Sequence, residues 1–222
     1  MSEGARLAVL VGAGLGLGLF GRWAIRRSWG ATTAPAVPAA LVRPDFGALS
    51  VEELDRQYGP LLWEPAPTAS NPDAIRILNA SDWNRRIVSV DLPPEWAALH
   101  PWKGKGTPRA WFHQDVAPRA RELFEAWRAA GVLGDVQSWD GDYNPRKIRG
   151  SKRLSSHAFG VSFDINASAN PWGSPSDAQK PGNVERLVPI ATALGWAWGG
   201  FFATKPDPMH FEFAGTEASR AV

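Results

Sequence analysis

The sequence predicts an α+β domain, because it contains both segments with a helical hydrophobic period and segments with a strand period. The clearest helix covers residues 115–130, where apolar residues recur every three or four positions. Residues 161–166 and 209–213 instead alternate apolar and polar side chains, which is the period of a strand with one buried face. If these two strands pair, their polar side chains meet on one face of a sheet.

Capping residues mark the ends of two predicted helices. Asp115 is a candidate N-cap for the long helix, and Gly131 is expected to end it. Ser50 and Glu53 match a capping box, in which each side chain accepts a hydrogen bond from the backbone N–H of the other residue. This pair predicts a short helix that continues to about Gln57.

Three further segments complete the predicted secondary structure. Residues 74–80 and 85–92 are rich in Ile and Val and predict two short strands. Residues 184–194 predict a second helix, with Asn183 as its cap. Pro189 argues against the first half of this helix, because proline interrupts helical hydrogen bonding.

The composition limits the possible classes of function. The chain has 222 residues, of which 44% are hydrophobic and 21% charged, so it can bury one domain core and is not disordered throughout. It contains no cysteine, which excludes disulfides, thiolate metal ligands and cysteine nucleophiles. Any metal ion would therefore need His, Asp or Glu ligands. The twelve tryptophans are expected mainly in the core and at its rim.

Residues 1–30 are expected to lie outside the folded domain. Within them, residues 7–21 form an uncharged apolar run between arginines, shorter than the roughly 20 residues that cross a bilayer. The run is interpreted as a signal peptide or an uncleaved membrane anchor, and both interpretations remain open. A dinucleotide-binding loop is rejected, because no acidic residue follows at the required distance. Residues 31–48, rich in Ala and Pro, predict a linker, which leaves 49–216 as the functional domain.

Three side chains from the two predicted strands and the loop before them are candidate metal ligands. They are His157, Asp164 and His210. Catalytic zinc is commonly held by three protein side chains and keeps one position for water. Gly160 can reverse the chain so that His157 and Asp164 face one point. The sequence therefore predicts a Zn²⁺ site on the face of the sheet.

A zinc hydrolase also needs a proton acceptor and a group that stabilises the oxyanion. Asp207 lies three residues before His210, between two prolines, and is the candidate base; Glu212 is its rival. Arg146 is the first candidate for the oxyanion group, and Arg149 is the second. Both arginines belong to a basic cluster, which is either a solvated loop or a surface that attracts anionic wall polymer or substrate carboxylates. The cluster consists of Arg146, Lys147, Arg149, Lys152 and Arg153.

Two separated motifs resemble the zinc peptidases of the D-alanyl-D-alanine carboxypeptidase and L-alanyl-D-glutamate endopeptidase family, which includes VanY-type enzymes and many phage endolysins. The likeness extends over roughly residues 75–215 and is strongest over 146–212. The motifs are Ser155-x-His157-x-x-Gly160-x-x-x-Asp164 and Asp207-x-x-His210-Phe211-Glu212, with Trp198-Gly199-Gly200 between them.

The resemblance implies a small α+β domain with a central antiparallel sheet that is flanked by helices. It also implies that zinc is held by the three candidate ligands. It implies that Asp207 is the base, that Ser155 helps to hold the substrate and that Arg146 polarises the scissile carbonyl. Many relatives have Glu at the position of Asp207, whereas endolysin-like relatives often have Asp. This departure favours an endopeptidase over a dipeptidase.

The expected function is zinc-dependent hydrolysis of a peptide bond in the peptidoglycan stem peptide, of the L-Ala-D-Glu endopeptidase or the D-Ala-D-Ala carboxypeptidase type. The expected partners are stem peptides and not nucleic acid, with membrane contact through residues 7–21 as one possibility. A monomer at the cell envelope or outside the cell is expected. Two alternatives stay open: a cell-wall peptide-binding module without turnover, and an anchored structural protein that binds metal for stability. His100 and His113, outside the motifs, are expected to be structural or exposed.

Overall fold

The computed structural model describes residues 41–103 and 105–215, and within them it contains both helices and strands. In chain order the elements are α1 (Val51–Tyr58), β1 (Trp63–Pro65), β2 (Ile75–Ile77), α2 (Ala80–Arg86), β3 (Ile87–Asp91), β4 (Arg109–His113), α3 (Ala117–Ala129), β5 (Trp139–Gly141), β6 (Ser162–Ile165), α4 (Val188–Ala193), β7 (Trp196–Trp198) and β8 (His210–Phe213). Short 3-10 turns lie at Pro94–Ala98, Leu133–Asp135, Ser156–Phe159 and Gly199–Phe201.

The largest sheet has four strands in the order β5-β6-β8-β7, and all neighbours are antiparallel. β6 and β8 lie in its middle, in the register that places Asp164 opposite His210. Two smaller antiparallel pairs, β1 with β2 and β3 with β4, account for the other strands of the described residues. The predicted α+β architecture is confirmed.

An aromatic core lies against one face of the central sheet. Phe163 of β6 is fully buried, and its ring is stacked on Trp139 of β5 at 5.1 Å and on Phe211 of β8 at 5.5 Å between centroids. Trp127 of α3 meets Phe163 edge-on at 6.1 Å. Burial of each large ring contributes about 2–3 kcal/mol, so this face of β6 and β8 is fixed inward. The alternate side chains of both strands must therefore point to the other face.

Most tryptophans lie in the core, as the sequence analysis expected. Within residues 41–103 and 105–215, the buried tryptophans are Trp83, Trp96, Trp102, Trp127, Trp139, Trp196 and Trp198.

The capping box that opens α1 is confirmed. The Ser50 side chain accepts a hydrogen bond from the Glu53 N–H at 3.2 Å, and the Glu53 side chain accepts one from the Ser50 N–H at 2.7 Å. α1 ends at Tyr58, one residue after the predicted end. Two orphan N–H groups of the first turn are thereby satisfied, which fixes the point where the chain enters the helix.

The chain before α1 is only partly described. The predicted segment 1–30 lies outside the described residues, as does the first part of the predicted linker, residues 31–40. Residues 41–50 contain no helix or strand, yet Leu41 and Leu49 pack against the hydrophobic core. Among the described residues, no helix has the length and apolar character needed to cross a membrane.

Helix α3 begins at Ala117, later than predicted. The prediction that Asp115 caps it is wrong, because the N-cap residue is Val116 and no side chain caps the helix. The Asp115 N–H instead donates to Nδ1 of His113 at 3.3 Å, which tightens the turn between β4 and α3. Gly131, with φ 70°, follows the end of the helix in the left-handed region, as expected of a terminating glycine.

Helix α4 is shorter than the predicted helix 184–194. It begins at Val188, with Pro189 in its first turn, where the missing proline N–H is not needed. An earlier start would press the proline ring against the carbonyl of Glu185. Asn183 does not cap a helix; its Oδ1 accepts a hydrogen bond from the Glu185 N–H at 2.7 Å within a turn.

Helix α2 interrupts the region that predicts two strands. The segments 74–80 and 85–92 are shortened to β2 and β3, with α2 between them. Trp83, a residue of this helix, is fully buried. Asp82 and Arg86 form an ion pair of 2.8 Å at helical spacing on the outer side of the helix. One buried side chain in seven residues leaves too short an apolar period to reveal the helix in the sequence.

Candidate metal centre

Strand pairing brings two of the candidate ligands together. β6 and β8 are antiparallel, and their register pairs Asp164 with His210 and Ser162 with Glu212. Side chains directly opposite each other on one face lie about 5 Å apart at Cβ. The predicted convergence of Asp164 and His210 is therefore found, on the face opposite the aromatic core.

His157 reaches the same point from the 3-10 turn Ser156–Phe159. Ser155 precedes this turn, and its Oγ accepts a hydrogen bond from the His157 N–H at 3.4 Å. Gly160 follows with φ 68°, and a Cβ there would lie 2.8 Å from the backbone nitrogen of His113. The sequence needs glycine at this position because both the conformation and the space exclude a side chain.

The ligand atoms of these three side chains lie within 4.8 Å of one another. Nε2 of His157 is 3.2 Å from Oδ2 of Asp164, and Nδ1 of His210 is 2.9 Å from Oδ1 of Asp164. The two imidazole nitrogens are 3.2 Å apart. Two nitrogens and one carboxylate are the ligand set of many three-ligand zinc sites.

Hydrogen bonds behind the imidazoles fix which nitrogen faces the centre. Nδ1 of His157 donates to the backbone carbonyl of Asp142 at 2.7 Å, since a carbonyl can only accept. Nε2 of His210 lies 3.0 Å from Oε2 of Glu212, and a carboxylate at this position holds the imidazole N–H. The opposite nitrogens therefore face each other and Asp164, an arrangement that is satisfied by positive charge between them, supplied either by a proton or by a metal cation.

The pKa values also indicate a place for positive charge. Burial acts to raise the pKa of Asp164, but the imidazoles of His157 and His210 outweigh burial and hold it well below its usual range. Burial acts to lower the pKa of His210, but hydrogen bonds with Asp164 and Glu212 outweigh burial and raise it to about 10. Metal ions compete with protons for such groups, so the residues present fit a divalent ion.

Asp207 lies beside this cluster on the turn that leads into β8. Its backbone carbonyl accepts a hydrogen bond from the His210 N–H at 3.0 Å, which fixes the three-residue spacing. Oδ1 is buried and has no hydrogen-bond partner among the described residues. Burial, opposed in part by His210, raises the pKa of Asp207 to about 6. A free carboxylate oxygen with a pKa close to neutrality is suited to take up and return a proton.

The Trp198-Gly199-Gly200 segment holds the Asp207 turn in place. The Gly199 carbonyl accepts from the Asp207 N–H at 2.9 Å, and Nε1 of Trp198 donates to the Pro208 carbonyl at 2.7 Å. Gly200 lies so close to the Trp198 ring that a Cβ would overlap it. These three residues belong to the family resemblance, but their role in holding the turn does not follow from the sequence.

A cleft of about 1290 Å³ leads to the cluster, and it is lined by His157, Asp164, Asp207 and His210 together with Arg146 and Ser155. Nη1 of Arg146 donates to the Lys147 carbonyl at 3.2 Å, and the Arg146 carbonyl accepts from the Ser155 N–H at 3.1 Å. Arg149 and Arg153 also line the cleft. The basic cluster thus lies partly on the cleft wall, although Lys147 pairs with Asp73 at 3.8 Å.

The two remaining described histidines do not contribute to the cluster. His113 is buried between Tyr58 and Trp83, with ring centroids at 5.0 and 5.9 Å. The backbone carbonyl of His100 accepts a hydrogen bond from the Trp139 N–H at 2.9 Å. His113 is buried and His100 is exposed, which agrees with the expectation that each is structural or exposed.

Sequence reasoning missed the groups that orient the ligands. The Asp142 carbonyl belongs to the backbone, so no side-chain pattern could have revealed it. Glu212 was considered only as a base; its place two residues after His210 on a strand was the available signal, because residues i and i+2 share a face. Oε1 of Glu212 also accepts from the Leu49 N–H at 3.1 Å, a contact between residues 163 positions apart.

A comparison with protein families gives one match in this region. Residues 149–213 match the family model described as D-alanyl-D-alanine carboxypeptidase, of the M15 peptidases. The match covers less than a third of the chain, and it includes all three candidate ligands and Asp207. No curated protein and no solved structure matches the chain. The family match confirms the resemblance found in the sequence and supports a hydrolase that acts on cell-wall peptides.

Proposed function

We propose that this chain, which carries the M15 peptidase match over residues 149–213, is a zinc-dependent peptidase that cuts a peptide bond in the peptidoglycan stem peptide. The observation that carries the proposal is the convergence of three ligand atoms from His157, Asp164 and His210 within 4.8 Å. Their outer hydrogen bonds turn the lone pairs toward one centre, where a divalent cation would replace the proton.

The open shape of the cleft favours an endopeptidase of the L-Ala-D-Glu type over a carboxypeptidase. A volume of about 1290 Å³ accommodates several residues of an extended peptide, whereas release of one terminal residue requires only a small closed site. The presence of Asp207, where many relatives have Glu, points the same way. Such a substrate implies a location at the cell envelope or outside the cell. The monomeric state and a membrane contact through residues 7–21 remain predictions.

The proton transfers are assigned to Asp207. Zinc, when bound by three protein ligands, supplies a Lewis acid that makes water a nucleophile near neutral pH. The free Oδ1 of Asp207 takes the proton from the attacking water, because its raised pKa places it near the working pH. The protonated carboxyl then donates to the leaving amine, which departs neutral. The balance is one water added across one C–N bond.

Arg146 is assigned to the developing negative charge. It lines the cleft and its guanidinium contacts the Lys147 carbonyl through Nη1, which leaves further N–H groups for a substrate carbonyl oxygen. A charged donor aimed at an oxyanion contributes about 3–4 kcal/mol of transition-state stabilisation in well-formed sites. Ser155, whose Oγ accepts from the His157 N–H, would contribute to substrate binding from the same wall.

The test combines metal analysis with a digest of purified peptidoglycan stem peptides. Stoichiometric zinc and new free amino groups are expected from the parent protein. Asp207→Asn should retain zinc and lose at least 100-fold in kcat, since the amide cannot accept the proton. Asp91→Asn, an exposed change on β3, is the matched control and should leave both readouts unchanged.

The alternatives give different outcomes in the same experiment. Zinc with peptide binding but no products would identify a cell-wall peptide-binding module. A melting temperature that falls on chelation, without affinity for the peptides, would identify a structural metal. Loss of zinc in Asp207→Asn would contradict the assignment of Asp207 as a base outside the ligand set.

A further inference from the structure

Two cationic side chains share one tryptophan on the cleft wall. Nζ of Lys205 lies 3.1 Å from the centroid of the Trp172 ring, and Cζ of Arg149 lies 5.4 Å from it. All three side chains line the cleft that contains the metal cluster. A cation over an indole face is attracted by the ring quadrupole, so the tryptophan acts as a platform that holds both charges.

The two charges have no carboxylate partner within the described part of the chain. Among the ion pairs of the described residues, neither Lys205 nor Arg149 takes part, whereas Lys147 pairs with Asp73 and Arg186 with Asp135. Two like charges held near one ring repel each other, and the repulsion is relieved when an anion binds between or beside them. Their exposure to the cleft leaves them free to meet a ligand.

The position of this platform is fixed relative to Asp207. Lys205 precedes Asp207 by two residues, and the Pro206 carbonyl between them accepts from the Gly173 N–H at 2.7 Å. Gly173, with φ 83°, lets the Trp172 loop approach the Lys205 stem, because a Cβ there would lie 3.2 Å from Cε of Lys205. Two residues of chain span at most about 7 Å, so the backbones of Lys205 and Asp207 lie close together on the same stretch of the cleft wall.

We propose that Trp172, Lys205 and Arg149 form a specificity subsite for a substrate carboxylate next to the scissile bond. In a peptidoglycan stem peptide, the free α-carboxylate of the γ-linked D-glutamate meets this description. The inference rests on the proposed function and deepens it: the subsite selects stem peptides with a free glutamate carboxylate over those in which it is amidated.

Binding and cleavage of two matched peptides test this subsite. The probes are L-Ala-γ-D-Glu-L-Lys-D-Ala and the same peptide with the glutamate α-carboxylate amidated. Binding is measured by calorimetry with the zinc-loaded Asp207→Asn protein, and cleavage with the parent protein. The carboxylate peptide is expected to bind about tenfold more tightly than the amide, and to show a correspondingly lower KM with similar kcat.

Replacement of the cationic residues by neutral ones identifies which of them recognise the carboxylate. In Lys205→Gln with Arg149→Gln, the tenfold preference should fall to less than twofold, mainly through weaker binding of the carboxylate peptide. Trp172→Leu should reduce the preference without removing a charge, because both cations lose their platform. Lys152→Gln is the matched control, since it removes a basic side chain of the same cluster that does not line the cleft.

Each outcome decides between the subsite and the activity. A preference that survives the double replacement, or falls equally in the Lys152→Gln control, overturns the subsite. Equal cleavage of both peptides overturns the subsite while the peptidase proposal stands. A binding preference without cleavage supports the subsite and overturns the peptidase, and binding of neither peptide overturns both.

Discussion

The backbone of Gly199 lies directly against the backbone of Asp207. The Gly199 carbonyl accepts the Asp207 N–H at 2.9 Å, and a Cβ built on Gly199 would overlap the Asp207 carbonyl oxygen and lie 3.0 Å from the Asp207 Cβ. The candidate base therefore takes its position from a glycine eight residues earlier in the chain, and a side chain at Gly199 must push the turn away.

Gly199→Ala is expected to lower kcat about 100-fold, because a displacement of roughly 1 Å misplaces the Asp207 carboxylate relative to the attacked carbonyl. The Asp207 carbonyl also accepts the His210 N–H, so kcat is measured at saturating zinc, which separates displacement of the base from loss of metal. Kinetics on stem peptides and metal analysis measure the two effects. The matched control is Gly134→Ala, where an added Cβ meets nothing within 4 Å. Unchanged kcat in Gly199→Ala would show that the turn tolerates the displacement.

Glu212→Gln is expected to weaken zinc binding about 10- to 100-fold. The carboxylate holds the Nε2–H of His210 at 3.0 Å and accepts the Leu49 N–H through its other oxygen, so the amide presents a donor where one acceptor is needed. Titration with a zinc indicator measures the affinity.

Saturating zinc separates this role from that of a base. In Glu212→Gln, kcat should recover to near the parent value when zinc is in excess, whereas Asp207→Asn should stay inactive at every zinc concentration. The exposed change Glu122→Gln on α3 serves as control. A kcat that stays low for Glu212→Gln at saturating zinc would make Glu212 the base instead of Asp207.

The predictable parts of the fold and of the site share one origin, which is side-chain periodicity. The alternation in β6 and β8 revealed both the buried aromatic face and the two ligands on the other face, because a strand places every second residue on one side. Helix α2 was missed since Trp83 is its only buried residue. Helix α4 begins later than predicted because Pro189 is compatible only with the first turn of a helix.

Other features depend on contacts that no local pattern encodes. The Asp142 carbonyl orients His157 through a backbone atom, and the Leu49 N–H binds Glu212 although the two residues are 163 positions apart in the sequence. Lys205 and Arg149 meet Trp172 from separate loops. These contacts form only after the sheet has brought distant segments together, so they cannot be predicted from the spacing of residues in the sequence.

His113 is expected to make the stability of the protein depend on pH. Burial lowers the pKa of this imidazole below its ordinary value of 6.5, and its Nε2 is buried without a partner among the described residues. The unfolded chain therefore binds a proton more readily than the folded one. Stability from this residue is complete above pH 6.5 and is lost as the pH falls below that value.

The replacement His113→Phe tests this dependence, because a phenyl ring fits between Tyr58 and Trp83 but does not titrate. Between pH 7 and pH 5 the melting temperature of the parent should fall several degrees more than that of the variant. Both proteins are measured with the same zinc content, so that metal release affects them alike. Parallel curves would show that His113 takes up its proton equally well in the folded and unfolded states.

Asn166, at the end of β6, is expected to be among the most sensitive polar positions for stability. It has φ 53°, and its Oδ1 accepts from the N–H groups of Gln137 and Ser138 at 2.7 and 3.0 Å. Its Nδ2 donates to the carbonyls of Asp135 and Gly182 at 2.7 and 2.9 Å. One side chain thus joins two segments, residues 135–138 and the loop of Gly182, to the end of the strand that carries Asp164.

Asn166→Asp should lower the free energy of unfolding by roughly 2–4 kcal/mol, because a carboxylate oxygen would face two carbonyl oxygens without a donor. Denaturant unfolding measures the change. The matched control is Asn71→Asp: in its described contact with Asp73 the Asn71 side chain is an acceptor, a role that aspartate keeps, so a change below about 0.5 kcal/mol is expected. Equal effects of the two replacements would show that the donor hydrogen bonds of Asn166 contribute nothing specific. A selective loss in Asn166→Asp would instead establish that this amide fixes the end of β6, and with it the position of Asp164.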